Sequence, residues 1–362
     1  MKKNSPEQII IRIAALFWII LKLMSYKLWM TDRLFPLLPV IEISVPDNLH
    51  ALLYVVSLAA LGAFLFRPSS SLMMCIVGVE LFSCILDYTR WQPWEYQFLL
   101  MSAIFLLARS EEEKKSGYIF LFAALYFYSG IHKLNPEFNE TIWTSMILGS
   151  FFHVPNGSGS ETLTSIGYAL GILEALGGLG LIWKRTAKVA VIFLILMHLF
   201  NLLVLGPLGI NYNPIVWPWN VLMIVLLAYV FLRSKLSFEA GKFFNLRFAP
   251  IFILWGIMPM LCLWGYWDHY LSASLYSGKL PLMDICIETD YHPELAAYTS
   301  QDELGICKGK DKVTLQLWAM EELMVPPYPA PRVYKQAAVL IKEKYPDAKC
   351  YQYYLKSASR SE

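Results

Sequence analysis

The residues of this chain that can do chemistry gather at the ends of apolar segments. The densest group is YFYSGIHKLNPEF, 126–138, which closes the apolar run 118–128 with His132, Lys133, Asn135 and Glu137. A helix leaving a bilayer commonly carries one snorkelling lysine. A glycine and a His-Lys pair, then an Asn-Pro stop, are more than an anchor requires. A lysine acts as a base only when neutral, and burial at an apolar helix end beside a second basic group favours that form. His132 next to Lys133 meets this demand, although adjacent helical residues point about 100° apart.

Three more ionisable side chains, Glu80, Glu174 and His198, lie inside apolar runs. Such groups are costly in a membrane and are functional candidates by default. Asp87, Arg90, Trp91 and Trp94 fall in DYTRWQPWEYQ, and Trp217 and Asn220 in GPLGINYNPIVWPWN. Asp268, His269 and Tyr276 fall in WGYWDHYLSASLYSG. Plainer roles stand beside these. The tryptophans suit an interfacial belt, and His198 suits helix packing. Glu174 suits a pair with a buried lysine, Asp87 and Arg90 an interfacial ion pair, and Lys133 a snorkelling anchor.

The elements that position these residues are membrane helices. The 362 residues are 57% hydrophobic and only 16% charged, against about 25% charged in soluble domains, and the mean hydropathy is +0.47. These values predict an all-α polytopic membrane bundle, since a span needs about 20 apolar residues. Nine stretches qualify: 9–29, 49–66, 71–87, 96–108, 117–133, 163–182, 187–208, 215–232 and 248–266. Arg12 and Lys22 interrupt the first, which reads as a retained signal-anchor. The short apolar run 143–152 suits an interfacial or re-entrant piece.

Counting Lys and Arg on alternate loops sets the topology. With the N-terminus inside, fourteen lie on inner segments, among them Lys2 and Lys3, and four on outer loops before residue 267. The expected location is the cell (inner) membrane, with a cytoplasmic N-terminus and an extracytoplasmic C-terminus. Lys133, Asp87, His198, Glu174 and Asp268 then converge between mid-membrane and the outer face.

The predicted division is a transmembrane domain, 1–266, and a small extracytoplasmic α+β domain, 267–362. In the latter, 283–290, 312–318 and 350–355 read as strands and 325–332 as a proline-rich turn. Val333, Ala337, Leu340, Ile341 and Tyr345 share one face of an amphipathic helix. Cys286, Cys307 and Cys350 allow one disulfide if this part lies outside the cytoplasm. No Cys-x-x-Cys spacing points to zinc or thioredoxin-like chemistry, so no metal is predicted. No basic block points to nucleic acid.

YFYSGIHKLNPEF resembles the corresponding helix end of the vitamin K-dependent gamma-carboxylase family, within the HTTM group. There an apolar helix ends in a glycine, a basic pair and Leu-Asp or Leu-Asn. Weaker likeness extends to 87–101, 197–220 and 267–278. The resemblance implies a quinol-dependent carboxylase or oxidoreductase. Lys133 would deprotonate a reduced quinone, menaquinol or vitamin K hydroquinone. Oxygen would make the quinol a strong base, which removes a γ-proton from a Glu so that the carbanion takes CO2. His132, which replaces the family's basic neighbour, would tune or relay protons with His198 and Glu174. Asp87, Arg90, Trp91, Trp94, Tyr126, Trp217 and Asn220 would shape the pocket. The implied partners are the lipid bilayer and a protein or peptide substrate on the extracytoplasmic side. The family carboxylases have a large lumenal portion, and here some 95 residues follow the last predicted helix. The alternative is a non-enzymatic membrane scaffold or assembly partner of an envelope complex, which the VPPYPAP segment motivates. A transporter ranks last, because no inverted repeat is visible.

Overall fold

The computed structural model describes residues 5–155, 161–302 and 305–354. Lys2, Lys3 and Leu355 lie outside these. The protein is mostly helical, 67%, with a small antiparallel sheet. Helix forms at each of the nine apolar stretches. In order these are α1 (Pro6–Met24), α2 (Asp47–Phe66), α3 (Ser70–Ile85), α4 (Pro93–Leu107) and α5 (Glu111–His132). Then come α6 (Glu161–Gly180), α7 (Lys184–Leu205), α8 (Val216–Arg233) and α9 (Leu246–Trp264). Among the described residues, α2, α7, α8 and α9 are long and apolar enough to cross a membrane, and α3 and Ser165–Gly180 are shorter apolar helices.

Local signals set the ends of α1. Ser5 and Gln8 form a capping box, and Pro6 occupies the first turn, where its missing N–H is not needed. The charge that interrupts this helix is matched across the bundle. Lys22 is fully buried and meets Glu80 of α3 at 2.8 Å. Ser57 of α2 donates to the other Glu80 oxygen, and the Lys22 ammonium lies 3.1 Å from the Trp29 ring centroid. One carboxylate therefore ties three helices. The apolar piece after α5 becomes a wide π-helix, Phe138–Phe151, which packs Phe138, Trp143 and Leu148 against Leu163 and Leu170 of α6.

The C-terminal segment holds β1 (Pro281–Ile287), β2 (Thr299–Ser300), β3 (Asp311–Thr314) and β4 (Lys349–Tyr354). The order is β2-β3-β1-β4, all antiparallel. The strand expected over 312–318 stops at Thr314, and a helix, Leu315–Leu323, replaces its second half. The reason is periodicity: Leu315, Trp318, Ala319 and Leu323 are all buried, which is a helical rather than an alternating pattern. The amphipathic helix is present as Pro331–Lys344, with Val333, Ala337 and Ile341 buried. Cys286 bonds Cys307, and Cys350 is free. Register explains the choice. Cys350 pairs with Ile285 and Lys349 with Cys286, so Cys350 projects to the opposite face from Cys286.

Polar contacts dock this segment on the helices. Glu322 accepts from the backbone N–H groups of Leu34 (2.5 Å) and Phe35 (2.8 Å). Gln92 donates to the Pro326 carbonyl at 3.0 Å, and Gln336 to that of Pro39 at 3.1 Å. Asp268 grips both Arg332 guanidinium nitrogens (2.7 and 2.5 Å) and the Tyr328 hydroxyl (2.7 Å). Burial alone would raise the Asp268 pKa, but these donors outweigh it and hold the carboxyl below its ordinary 3.8. A depressed carboxylate contributes stability above its unfolded pKa and loses it as pH falls through the folded value. The clamp is therefore at full strength above about pH 4 and weakens below it, to be lost as pH falls through the depressed folded value. Hydrogen exchange over 326–334, corrected for intrinsic rates, should quicken below that pH. In Asp268→Asn it should already be fast at pH 6; equal protection in variant and wild type at pH 6 would exclude the clamp.

Candidate functional site

Two helices must touch for the site to form. A Cβ on Gly130 of α5 would stand 2.4 Å from the Gly171 carbonyl oxygen and the Ala175 nitrogen of α6. One on Gly178 of α6 would stand 2.5 Å from the Phe127 nitrogen. Only glycine permits backbones this close, the small-residue packing common between membrane helices. The glycine of the Gly-Ile-His-Lys sequence is thus the contact point. It carries α6 across the last turn of α5 and brings Glu174 to Lys133, which caps that turn.

The Lys133 ammonium pairs with the Glu174 carboxylate and donates to the Ser129 hydroxyl at 3.0 Å. Asn135 fixes the turn that follows. Its amide donates to the carbonyls of His132 (2.7 Å) and Ser277 (3.0 Å), and its oxygen accepts the Phe138 N–H (2.8 Å).

A second polar chain runs through His198 of α7, which is 2% exposed. Its Nδ1 lies 2.7 Å from Asn220 Oδ1, and its Nε2 2.7 Å from the Tyr126 hydroxyl. The Asn220 amide nitrogen is used on the Val216 carbonyl at 2.7 Å, which orients the oxygen toward the imidazole. Oxygen only accepts, so Nδ1 carries the ring hydrogen and Nε2 accepts from Tyr126.

Both polar groups face one cavity of about 290 Å³. Lys133, Ser129, Glu174, Tyr126, His198, Asn201, Asn220, Trp219 and Tyr276 line it, with an apolar wall of Phe193, Leu196, Met197 and Phe200 from α7. Leu196 is 58% exposed, so this wall is one helix thick. The arrangement offers a carboxylate acceptor, an ammonium and a fixed phenol hydroxyl to an otherwise apolar space.

Of the side chains singled out in the sequence, Lys133, Glu174, His198, Tyr126 and Asn220 meet here. His132 does not: it is buried beside the Tyr128 ring, with its Nε2 lacking a partner. Asp87 and Arg90 lie in another buried cluster. Asp87 takes Arg33 at 2.5 Å. Arg90 donates to the carbonyls of Leu28, Trp29 and Ser83 and lies 2.8 Å from His50 Nδ1. That cluster pins the chain after α1 to the turn after α3. Trp91 packs edge-on against Tyr96. Trp217 donates to the Leu205 carbonyl at 2.8 Å and braces the α7–α8 loop. Trp94 lines a neighbouring cavity. Sequence reading passed over Ser129, whose place four residues before Lys133 puts it on the same face. It also passed over Ile142 and Met146 of the π-helix, which carry no polar signal. Among the described residues, no three His, Cys, Asp or Glu side chains converge as metal ligands.

Removing one member of a buried pair strands the other charge, at about 3–5 kcal/mol, whereas replacing both with apolar groups is often neutral. Lys133→Met should destabilise the protein by about 3 kcal/mol, and Lys133→Met with Glu174→Leu should regain most of it. Gly130→Ala should force α5 and α6 apart and cost about 1–3 kcal/mol. Thermal or denaturant unfolding in detergent checks all three; equal stability of the single and double variants would contradict the pairing. Comparison with protein families, with curated proteins and with solved structures finds no match.

Proposed function

We propose that this is a quinol-dependent membrane enzyme, of the gamma-carboxylase-like or quinol-oxidising kind, whose reaction begins in this cavity. The observation that carries the reading is the opening of the Lys133–Glu174 pair and the Tyr126–His198–Asn220 chain into one apolar space. The likeness of 126–138 to the vitamin K-dependent gamma-carboxylase helix end supplies the reaction class. In this reading all nine helices cross the cell membrane, the N-terminus is cytoplasmic, and 267–362 forms an extracytoplasmic domain. The Lys/Arg count supports that orientation, as does the Cys286–Cys307 disulfide, since disulfides persist outside the cytoplasm. A protein or peptide on the extracytoplasmic side would be the final acceptor.

The cavity fits a lipid-soluble ring. Tyr126, Trp219 and Tyr276 offer aromatic faces, and the α7 wall with exposed Leu196 would face lipid, giving a lateral entry. When bound, a reduced quinone supplies an acidic hydroxyl and two electrons, which oxygen takes up. Glu174 receives the hydroxyl proton. Lys133 holds its positive charge beside the oxygen that gives it up and so acts with Glu174 rather than alone. Tyr126, its hydrogen given to His198 Nε2, can offer the cavity its hydroxyl oxygen as an acceptor. The apolar wall keeps water from competing for the proton.

The test is turnover of menaquinol or vitamin K hydroquinone by purified protein under oxygen, followed as oxidised quinone or epoxide. The Lys133→Met, Glu174→Leu double variant, chosen because replacing both partners should keep the protein folded, should lose at least about 100-fold, the scale of general acid–base catalysis. Product formed equally by wild type and double variant rules out this role.

A further inference from the structure

A second chamber of about 250 Å³ adjoins the first and shares Ile142, Met146, Val216, Trp219, Leu275 and Tyr276 with it. Its far side is built by the C-terminal segment, with Pro326, Pro327, Pro329 and Tyr334 as a rigid roof. The two spaces differ in chemistry. Lys133, Glu174 and His198 line the first. Among the described residues, no Asp, Glu, Lys, Arg or His lines the second. Its walls are aromatic, aliphatic and proline side chains with Thr141 and a few amides.

The polar groups in that wall are unevenly satisfied. Trp94, 4% exposed, has a buried Nε1–H with no partner. Asn213, 6% exposed, spends its amide nitrogen on the Tyr276 hydroxyl at 3.1 Å, and its oxygen has no partner. Gln316 directs its amide nitrogen to the Pro281 carbonyl and the Tyr334 hydroxyl, and its oxygen is likewise unpaired. The Pro281 carbonyl only accepts, so it orients the Gln316 amide and leaves its oxygen spare; the Tyr276 hydroxyl donates or accepts, so Asn213 can present either amide atom. One unmet donor and two unmet acceptors sit in the residues of one small, uncharged wall. Buried polar groups are seldom left this way, and each one left unmet is destabilising.

We propose that this chamber binds an uncharged aromatic ring that carries a hydroxyl. A hydroxyl both donates and accepts; the unmet atoms are turned out of the open space, so side-chain rotation on binding brings it to Trp94 on one side and Asn213 or Gln316 on the other. The aromatic and proline surfaces suit the flat apolar body. The volume lies just under the usual ligand range of about 300–1,000 Å³, which limits the group to about one ring. A carboxylate is disfavoured, because no cation lines the space and an unpaired buried ion is far costlier than a neutral group. The inference does not depend on quinol chemistry in the first chamber.

The experiment uses fluorine NMR of the full chain in lipid nanodiscs, with empty nanodiscs correcting for partition. Four probes share a body: 4-fluorophenol donates and accepts, 4-fluoroanisole accepts only, 4-fluorotoluene does neither, and 4-fluorobenzoate is charged. The phenol should bind at least about 5-fold more tightly than each of the others, the scale of one hydrogen bond. Trp94→Phe should weaken it by a similar factor. Gln316→Met provides the same reading should Trp94→Phe fail to fold. The Lys133→Met, Glu174→Leu variant should bind it as wild type does. Equal binding of the three neutral probes overturns the proposal, as does preference for the benzoate. Loss of binding in the Lys133/Glu174 variant with retention in Trp94→Phe also overturns it, by moving the site to the first chamber.

Discussion

The close crossing of α5 and α6 is the constraint on which the rest of the site depends. Backbone meets backbone at Gly130 and again at Gly178. Because two helices in van der Waals contact at two points cannot rotate freely, their side chains acquire a fixed relation. Glu174 then has one place to go, against Lys133. The Gly-Ile-His-Lys sequence is therefore a packing device and a charge device at once. The glycine sets the distance between helices, and the lysine answers the carboxylate that this distance brings in.

The bundle repeats that logic elsewhere. Lys22 answers Glu80, and Arg33 answers Asp87, each pair essentially unexposed. Buried pairs of this kind add little net stability, since desolvation offsets attraction, but breaking one is costly. They fix which helices are neighbours. What separates the Lys133–Glu174 pair from the other two is the space beside it. The Lys22–Glu80 pair is fully buried, and Arg33 lines a pocket that Asp87 does not, whereas Lys133, Glu174 and Tyr126 together line one cavity. A pair that only held helices together would need no such space.

The helices were legible in the sequence because long apolar runs are a strong, local signal, and all nine stretches are helical. The tail was harder. Residues 312–318 satisfy an alternating pattern for a few positions and a helical one over a longer window. The longer pattern won because it buries Leu315, Trp318, Ala319 and Leu323 together. Charge partners were the least legible part. Lys22 and Glu80 are 58 residues apart and Lys133 and Glu174 are 41 apart, and nothing in either neighbourhood names the other. Asp87 and Arg90 sit in as polar a setting as Lys133, yet they brace a turn. His132 is adjacent to Lys133 in sequence and faces elsewhere, as the 100° step of a helix dictates.

In the proposed function, the cavity beside Lys133 and Glu174 holds a reduced, lipid-soluble ring in position to lose a proton. Mass spectrometry of lipid co-purified with the protein tests it most directly. An isoprenoid quinone retained in near-stoichiometric amount by wild type, and depleted from a Leu196→Trp variant that narrows the α7 wall, is the expected result. Absence of any quinone from wild type, or the same low level in wild type, variant and an unrelated membrane protein, would contradict it.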